Sequence, residues 1–116
     1  MPSKVDHSAK AGHNESFVSK LGEPYWDWAI SGTFYAALHY VEAYLATKKI
    51  HSGSHPVRDS NINRGDTLRA IYPDYRELKD ESRAARYDVV KFKQDDLKEM
   101  QKNLETIKKL LKPLIK

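Results

Sequence analysis

An apolar stripe near the end of the chain restricts the fold more than any other feature of the sequence. Its members recur at alternating intervals of three and four, which places them on one face of an α-helix. Acidic residues come early in this stretch and lysines come late, as the helix dipole favours, and Pro113 is expected to fray the helix end. The stripe forms either part of a core within the chain or the seam of a dimer. It comprises Leu97, Met100, Leu104, Ile107, Leu111 and Leu114.

A second apolar stripe predicts a long helix over residues 25–48. Pro24 favours a first helical turn, and the alanines of this stretch allow another helix to approach closely. Trp26 fits the stripe and is predicted to lie in the core. Trp28 is rotated away from Trp26 by about 200° and is predicted to cover a neighbouring helix or a subunit interface. The stripe comprises Trp26, Ala29, Ile30, Thr33, Phe34, Ala37, Val41, Tyr44 and Leu45.

Three shorter helices complete the predicted fold. They span residues 14–21, residues 55–71 and residues 74–86, and the second of them is weakened in its middle by Gly65. Residues 88–93 are either a connection or a short extended stretch. No convincing alternating pattern of a β-strand appears, so the sequence predicts an all-α fold, an up-and-down helical bundle of four to five helices.

The length of 116 residues and a hydrophobic fraction of 40% fit one small domain. Residues 1–14 are polar without a helical period and are predicted to form a flexible N-terminal arm, which leaves residues 15–116 as a single helical domain. The absence of cysteine excludes disulfide frameworks, thiolate zinc sites, iron–sulfur clusters and cysteine nucleophiles. No apolar run approaches the roughly 18 residues that cross a bilayer, so we expect a cytoplasmic protein that does not bind membranes.

The charge is unevenly distributed. The formal net charge is +4, and all of it arises after residue 50, as do all of the arginines. This bias favours polyanionic partners, although it is smaller than the charge of a dedicated nucleic-acid-binding protein.

The first polar cluster lies in residues 51–59. Two imidazoles, His51 and His55, could move protons, and the adjacent guanidinium of Arg58 could hold a phosphate. His55 and Arg58 are therefore the candidate catalytic residues for cutting RNA without a metal. The alternative is structural, with a serine that caps a helix and with His55 and Arg58 paired with acids.

A metal site at this cluster is disfavoured. The two imidazoles could be joined by His39 or Glu42, but Gly53 and Pro56 lie within the histidine pair and do not guarantee a shared helical face. The sequence also lacks the phosphate-binding glycine loops and the metalloprotease and hydrolase motifs. We therefore predict no metal and no cofactor.

The second polar cluster is at residues 82–88. Arg83 and Arg86 lie about one turn apart near a predicted helix end, and Tyr87 can stack or donate a hydrogen bond. Together with His51 and Arg58, these residues are candidates for binding nucleic acid or phosphate. Alternatively, Arg83 pairs with a neighbouring acid on a solvated face and contributes little.

A family resemblance connects these segments. The alanine- and aromatic-rich stretch of residues 27–45, with its His-Tyr-Val-Glu-Ala sequence, is followed by residues 51–58 and by Ser-Arg-Ala-Ala-Arg-Tyr at residues 82–87. This pattern resembles the HEPN superfamily over roughly residues 15–112. The resemblance implies a compact up-and-down bundle, commonly a homodimer, from prokaryotic toxin–antitoxin and defence systems. Members often work beside a minimal nucleotidyltransferase.

The family's catalytic motif is missing. Active members are metal-independent ribonucleases that use Arg, four to six residues, then His, in a groove at the dimer interface. In this chain the last histidine is His55 and the first arginine is Arg58, so no arginine precedes a histidine. The family motif cannot be carried over, and only the reversed arrangement of His51, His55 and Arg58, together with Arg83 and Arg86, remains as a substitute.

Three functions are consistent with the sequence. The first is a non-catalytic HEPN-like module that binds RNA, a nucleotide or a partner protein. The second is a metal-independent ribonuclease with a rearranged site, in which His55 is the acid or base and Arg58 or Arg86 contacts the phosphate. The third is a purely structural helical subunit. The missing motif favours the first.

Overall fold

Six α-helices account for most of residues 2–115, the part of the chain that the computed structural model describes. No strand occurs within this range, so the prediction of an all-α bundle is confirmed. None of these helices combines the length with the apolar composition that crossing a membrane requires. The helices are α1 (Lys4–Ser19), α2 (Trp26–Thr47), α3 (His55–Arg64), α4 (Asp66–Arg69), α5 (Tyr72–Tyr87) and α6 (Gln94–Ile115).

Helix α2 is the centre of the bundle. It contacts α1, α5 and α6 and is buried on nearly all sides, as expected for a helix with apolar and small residues around its circumference. Helix α1 runs antiparallel to it, because Val18 lies against Gly32 near the start of α2 while His7 contacts His39 towards its end. The predicted bounds of this helix, residues 25–48, agree with the structure to within one residue at each end.

The apolar stripe of α6 belongs to the core of the chain. Five of its six members are buried, and the exception is Leu114, whose place at the helix end is taken by the buried Ile115. Helix α6 packs against α2 and α5, so the stripe is an intramolecular core surface and not a dimer seam. Pro113 is accommodated inside the last turn of α6.

Helix α1 corrects the expectation of a loose N-terminal arm. Residues 4–14 are helical, and the helix begins with a capping box in which Ser3 and Asp6 bond to each other's backbone N–H groups. Only Ala11 and Val18 of α1 are buried, so no apolar period marks it in the sequence. Met1 and Lys116, the outer ends of the predicted arm and domain, lie outside the described residues.

Polar contacts attach α1 to the other helices. The carboxylate of Glu15 accepts a hydrogen bond from the hydroxyl of Tyr40 in α2 and another from Lys108 Nζ in α6, at 2.7 Å. Burial, followed by the hydrogen bond to Glu15, raises the pKa of Tyr40, so this hydroxyl remains a donor. One carboxylate thus joins three helices.

The predicted helix over residues 55–71 is divided at Gly65. This glycine adopts an extended conformation, with ψ of 131°, which ends α3 and precedes the single turn of α4. Helix α5 then begins at Tyr72, two residues earlier than predicted, with Pro73 in its first turn, where the missing N–H has no helical partner to lose. Residues 88–93 form the connection to α6.

The two tryptophans differ in burial, as their helical rotation predicts. Trp26 is half-buried and packs against the core. Trp28 is 53% exposed, and its predicted place over a neighbouring helix or at a subunit interface stays a prediction.

We predict opposite effects for alanine at two helical glycines. A Cβ at Gly32 would lie 2.7 Å from Val18 Cγ2, so Gly32→Ala should push α1 away from α2 and lower the free energy of unfolding by about 1–2 kcal/mol, despite the better helix propensity of alanine. Gly12→Ala in α1 is the matched control, because nothing lies within 4 Å of its Cβ position, and it should stabilise the protein by up to about 1 kcal/mol. Urea unfolding followed by circular dichroism measures both. Equal effects of the two substitutions would show that α1 does not pack closely on Gly32.

Candidate functional site

A buried ion pair joins α2 to α3. Glu42 of α2 is 4% exposed and Arg58 of α3 is 9% exposed, and Arg58 Nε donates to Glu42 Oε1 at 2.6 Å. Helix α3 is positioned for this contact by its start, where the Ser54 hydroxyl accepts a hydrogen bond from the backbone N–H of Val57 and Pro56 occupies the first turn. Arg58 therefore pairs with an acid, and its charge is neutralised inside the bundle.

His55 is held by the same arginine. Its Nδ1 lies 3.1 Å from Arg58 Nη1, and a guanidinium can only donate, so Nδ1 is the acceptor. Burial lowers the pKa of His55, and the positive charges of Arg58 and Lys79 lower it further. The imidazole is thus neutral near pH 7, with its proton on Nε2. Its basic nitrogen is already engaged, and the group that His55 offers to solvent is an N–H donor.

Arg86 lies between two tyrosine rings. Its Nη1 donates to the hydroxyl of Tyr35 in α2, and its guanidinium carbon is 5.4 Å from the centroid of the Tyr35 ring and 5.3 Å from that of Tyr87. Tyr87 is 74% exposed at the end of α5, and Arg83 is exposed one turn earlier. The structure therefore brings the three residues of the second cluster to one end of α5.

The aromatic ring of Phe34 connects the two predicted clusters. Its centroid lies 6.1 Å from that of His55 and 5.4 Å from that of Tyr35, the residue that binds Arg86. The Tyr75 ring of α5 also packs on Phe34, with the two ring centroids 5.7 Å apart. We call this junction of α2, α3 and α5 the polar seam; it comprises Phe34, Tyr35, His55, Tyr75, Ser82 and Arg86.

The sequence does not single out two members of the polar seam, Tyr35 and Tyr75, and it places Ser82 only at the start of the second polar cluster. The available signal was the spacing along α5, since Tyr75, Ser82 and Arg86 are seven and four residues apart and share one helical face. That face carries two hydroxyls and a guanidinium where an apolar stripe would be expected.

Another imidazole pair joins α1 to α2. His7 Nδ1 and His39 Nδ1 are 3.0 Å apart, so one ring donates and the other accepts. Burial and the neighbouring His7 lower the pKa of His39 to about 4. Burial lowers the pKa of His7, and the charge of His51, one of the predicted phosphate-binding residues and itself half-buried, lowers it further.

These histidines do not form a metal centre. Within residues 2–115, no group of three His, Asp or Glu side chains is placed to hold a metal ion. Glu42, considered as a ligand from the sequence, is instead the partner of Arg58.

Comparison with known proteins adds no assignment. No protein-family profile, curated protein or solved structure matches this chain.

Removing one partner of the Glu42–Arg58 pair should lower the free energy of unfolding far more than removing both. Arg58→Met leaves a buried carboxylate without a cation and should lower the free energy of unfolding by about 3–5 kcal/mol, whereas Glu42→Leu combined with Arg58→Met should recover most of that loss. Chemical unfolding of the three proteins measures the difference. If Arg58→Met alone were as stable as the wild type, the burial of the Glu42 carboxylate would not depend on this arginine.

The His7–His39 pair predicts that acid destabilises the fold. In the unfolded chain His39 takes up a proton near its ordinary value of 6.5, but in the folded chain only near pH 4, so the free energy of unfolding should fall as the pH decreases between these values. Thermal unfolding from pH 7 to pH 4 measures this, with His39→Asn as the comparison. The variant should lose less stability over the same range, and an identical pH dependence would contradict the assignment.

Proposed function

We propose that this chain is a non-catalytic, HEPN-like helical module that binds RNA. The observation that carries the proposal is the exposed end of α5, where the Tyr87 ring stands in solvent with the guanidinium of Arg86 against it. Residues 82–93 contain four cations and only one acid. The cations are Arg83, Arg86, Lys91 and Lys93, and the acid is Asp88.

An exposed aromatic ring among cations suits single-stranded RNA. Bases of any sequence can stack on such a ring, while neighbouring lysines and arginines neutralise the phosphates. Trp28, also exposed, lies on the same face of α2 as Tyr35, the residue that binds Arg86. Trp28 therefore offers a second exposed aromatic ring on which a base can stack.

The arrangement of His55 and Arg58 supports binding over cleavage. The guanidinium of Arg58 is neutralised by Glu42, so it has no free charge to stabilise a phosphorane-like transition state. The Nδ1 of His55 accepts from Arg58 and its Nε2 carries the proton, so the neutral ring has no free basic nitrogen to abstract a proton. Arg58 therefore orients Glu42 and His55, and neither Arg58 nor His55 is free to take part in cleavage in the roles that the sequence suggested.

The remaining expectations from the HEPN resemblance belong to the same proposal. They are a homodimer, a minimal nucleotidyltransferase as partner, a cytoplasmic location and a role in prokaryotic toxin–antitoxin or defence systems. Exposed apolar side chains support association with a protein: Val89 is fully exposed, and Trp28 and Val90 are more than half exposed.

RNA binding is tested with a mixed-sequence oligoribonucleotide in EDTA. We expect binding by fluorescence anisotropy without cleavage on a denaturing gel. Tyr87→Ala should weaken binding about tenfold through lost stacking, and Arg83→Ala should weaken it severalfold and reduce its salt dependence.

Lys109→Ala is the matched control for charge. This exposed lysine lies about 22 Å along α6 from Gln94, away from residues 82–93, and its loss should leave the affinity unchanged. Equal weakening by Lys109→Ala and Arg83→Ala would show only a general attraction of charge. Cleavage that His55→Ala abolishes, and that the protein carrying both Glu42→Leu and Arg58→Met also lacks, would instead establish the ribonuclease with a rearranged site.

A further inference from the structure

A cleft lies between the start of α2, with the residues just before it, and the connection from α5 to α6. Its volume is about 520 Å³, within the range of roughly 300–1,000 Å³ that is usual for small-ligand pockets. Trp26 and Phe92 line it with half-buried aromatic rings that pack against the core. The cleft is also lined by four charged side chains, Glu23, Asp27, Lys91 and Lys93.

The charged side chains of the cleft are not paired with one another. Within residues 2–115, neither carboxylate and neither ammonium group forms a salt bridge. Asp27 Oδ1 accepts a hydrogen bond from the backbone N–H of Trp28, whereas the exposed carboxylate of Glu23 accepts none from any described residue. Both oxygens of Glu23 are therefore open to the donors of a ligand.

The cleft adjoins the surface to which we assign RNA binding. Lys91 and Lys93 belong to the cationic residues 82–93. Tyr87 and Phe92 are five residues apart, so their Cα atoms lie within about 18 Å of each other. A strand of a few nucleotides that stacks on Tyr87 can place another base in the cleft, with its phosphates near the two lysines.

We propose that the cleft binds one guanine base of a single-stranded RNA. Proteins that bind single-stranded RNA stack unpaired bases on aromatic rings and form hydrogen bonds to their Watson–Crick edges. On that edge guanine presents two adjacent N–H donors, at N1 and N2, which match the two acceptor oxygens of the Glu23 carboxylate. Adenine and cytosine present one amino group beside an acceptor nitrogen, and uracil presents a single N–H. This inference rests on the proposed function and specifies the base that the chain prefers.

Four octaribonucleotides test the proposal, each with seven uridines and one central guanosine, adenosine, cytidine or uridine. We expect wild-type protein to bind the guanosine octamer about tenfold more tightly than the all-uridine octamer in fluorescence anisotropy, with the adenosine and cytidine octamers between them. A preference for any of the other three bases would overturn the assignment of guanine.

Glu23→Gln should reduce the preference for guanosine to about twofold or less. A glutamine side chain presents one acceptor and one donor group, so it cannot accept from both guanine N–H groups. The melting temperature should not change, because Glu23 is exposed and its carboxylate bonds to no described residue.

Glu77→Gln is the matched control for charge. Glu77 is exposed on α5, about 15 Å along the helix from Tyr87, and does not line the cleft. Either substitution removes one negative charge and should raise the affinity for every octamer slightly. Only Glu23→Gln should change the ratio between the guanosine and uridine octamers.

The fluorescence of Trp26 reports whether a base enters the cleft. In Trp28→Phe protein Trp26 is the only tryptophan, and the phenylalanine keeps an aromatic ring at position 28. Guanosine monophosphate and the guanosine octamer should quench its emission saturably, and uridine monophosphate should quench it much less. Adding Glu23→Gln to this protein should weaken the quenching by guanosine monophosphate.

The outcomes distinguish this inference from the proposed function. Equal binding of the four octamers, or a preference for guanosine that Glu23→Gln leaves unchanged, would overturn the guanine site and leave RNA binding intact. If no octamer binds but guanosine monophosphate quenches Trp26 in a manner that depends on Glu23, the guanine site stands and RNA binding fails. A protein that responds to neither the octamers nor the monophosphate overturns both.

Discussion

The charge of Glu42 inside the bundle is the constraint on which the arrangement of the other groups depends. A carboxylate on the central helix is costly to bury unless a cation accompanies it, and Arg58 provides that cation from α3. Satisfying Glu42 fixes α3 across α2. Since Asp59 follows Arg58 directly, the same placement allows Asp59 to bind Lys79 and thereby joins α3 to α5. One buried acid is therefore connected, through two adjacent residues of α3, to both α3 and α5.

The degree to which each helix could be predicted follows from how it is stabilised. Helices α2 and α6 were predicted closely because they bury apolar residues at helical intervals, and that pattern is local in the sequence. Only the end of α1 was predicted, as the helix over residues 14–21, because residues 4–13 bury a single side chain, Ala11. Part of its attachment also comes from Glu15, whose partners Tyr40 and Lys108 are distant in the chain. A polar anchor of this kind has no periodicity.

In the candidate site, too, local features could be predicted from the sequence, whereas contacts between distant residues could not. The adjacency of His55 and Arg58 was predictable, because residues three apart share a helical face. Their pairing with Glu42, and the meeting of Arg86 with Tyr35 across 51 positions, required the packed bundle. Which nitrogen of His55 is available likewise depends on a contact and not on residue type, so chemistry assigned from the residues alone could not distinguish a proton acceptor from a donor.

The bond between Glu15 and Lys108 links residues 93 positions apart, and the chain is synthesised from α1 towards α6. As soon as α2 has formed, α1 can dock on it, and Glu15 then meets the Tyr40 hydroxyl. Its cation arrives only with the last helix. Until α6 is made, the Glu15 carboxylate has only a neutral partner, so α1 is held more weakly in the growing chain than in the finished protein. The first helix to be synthesised is therefore the last to be fully attached.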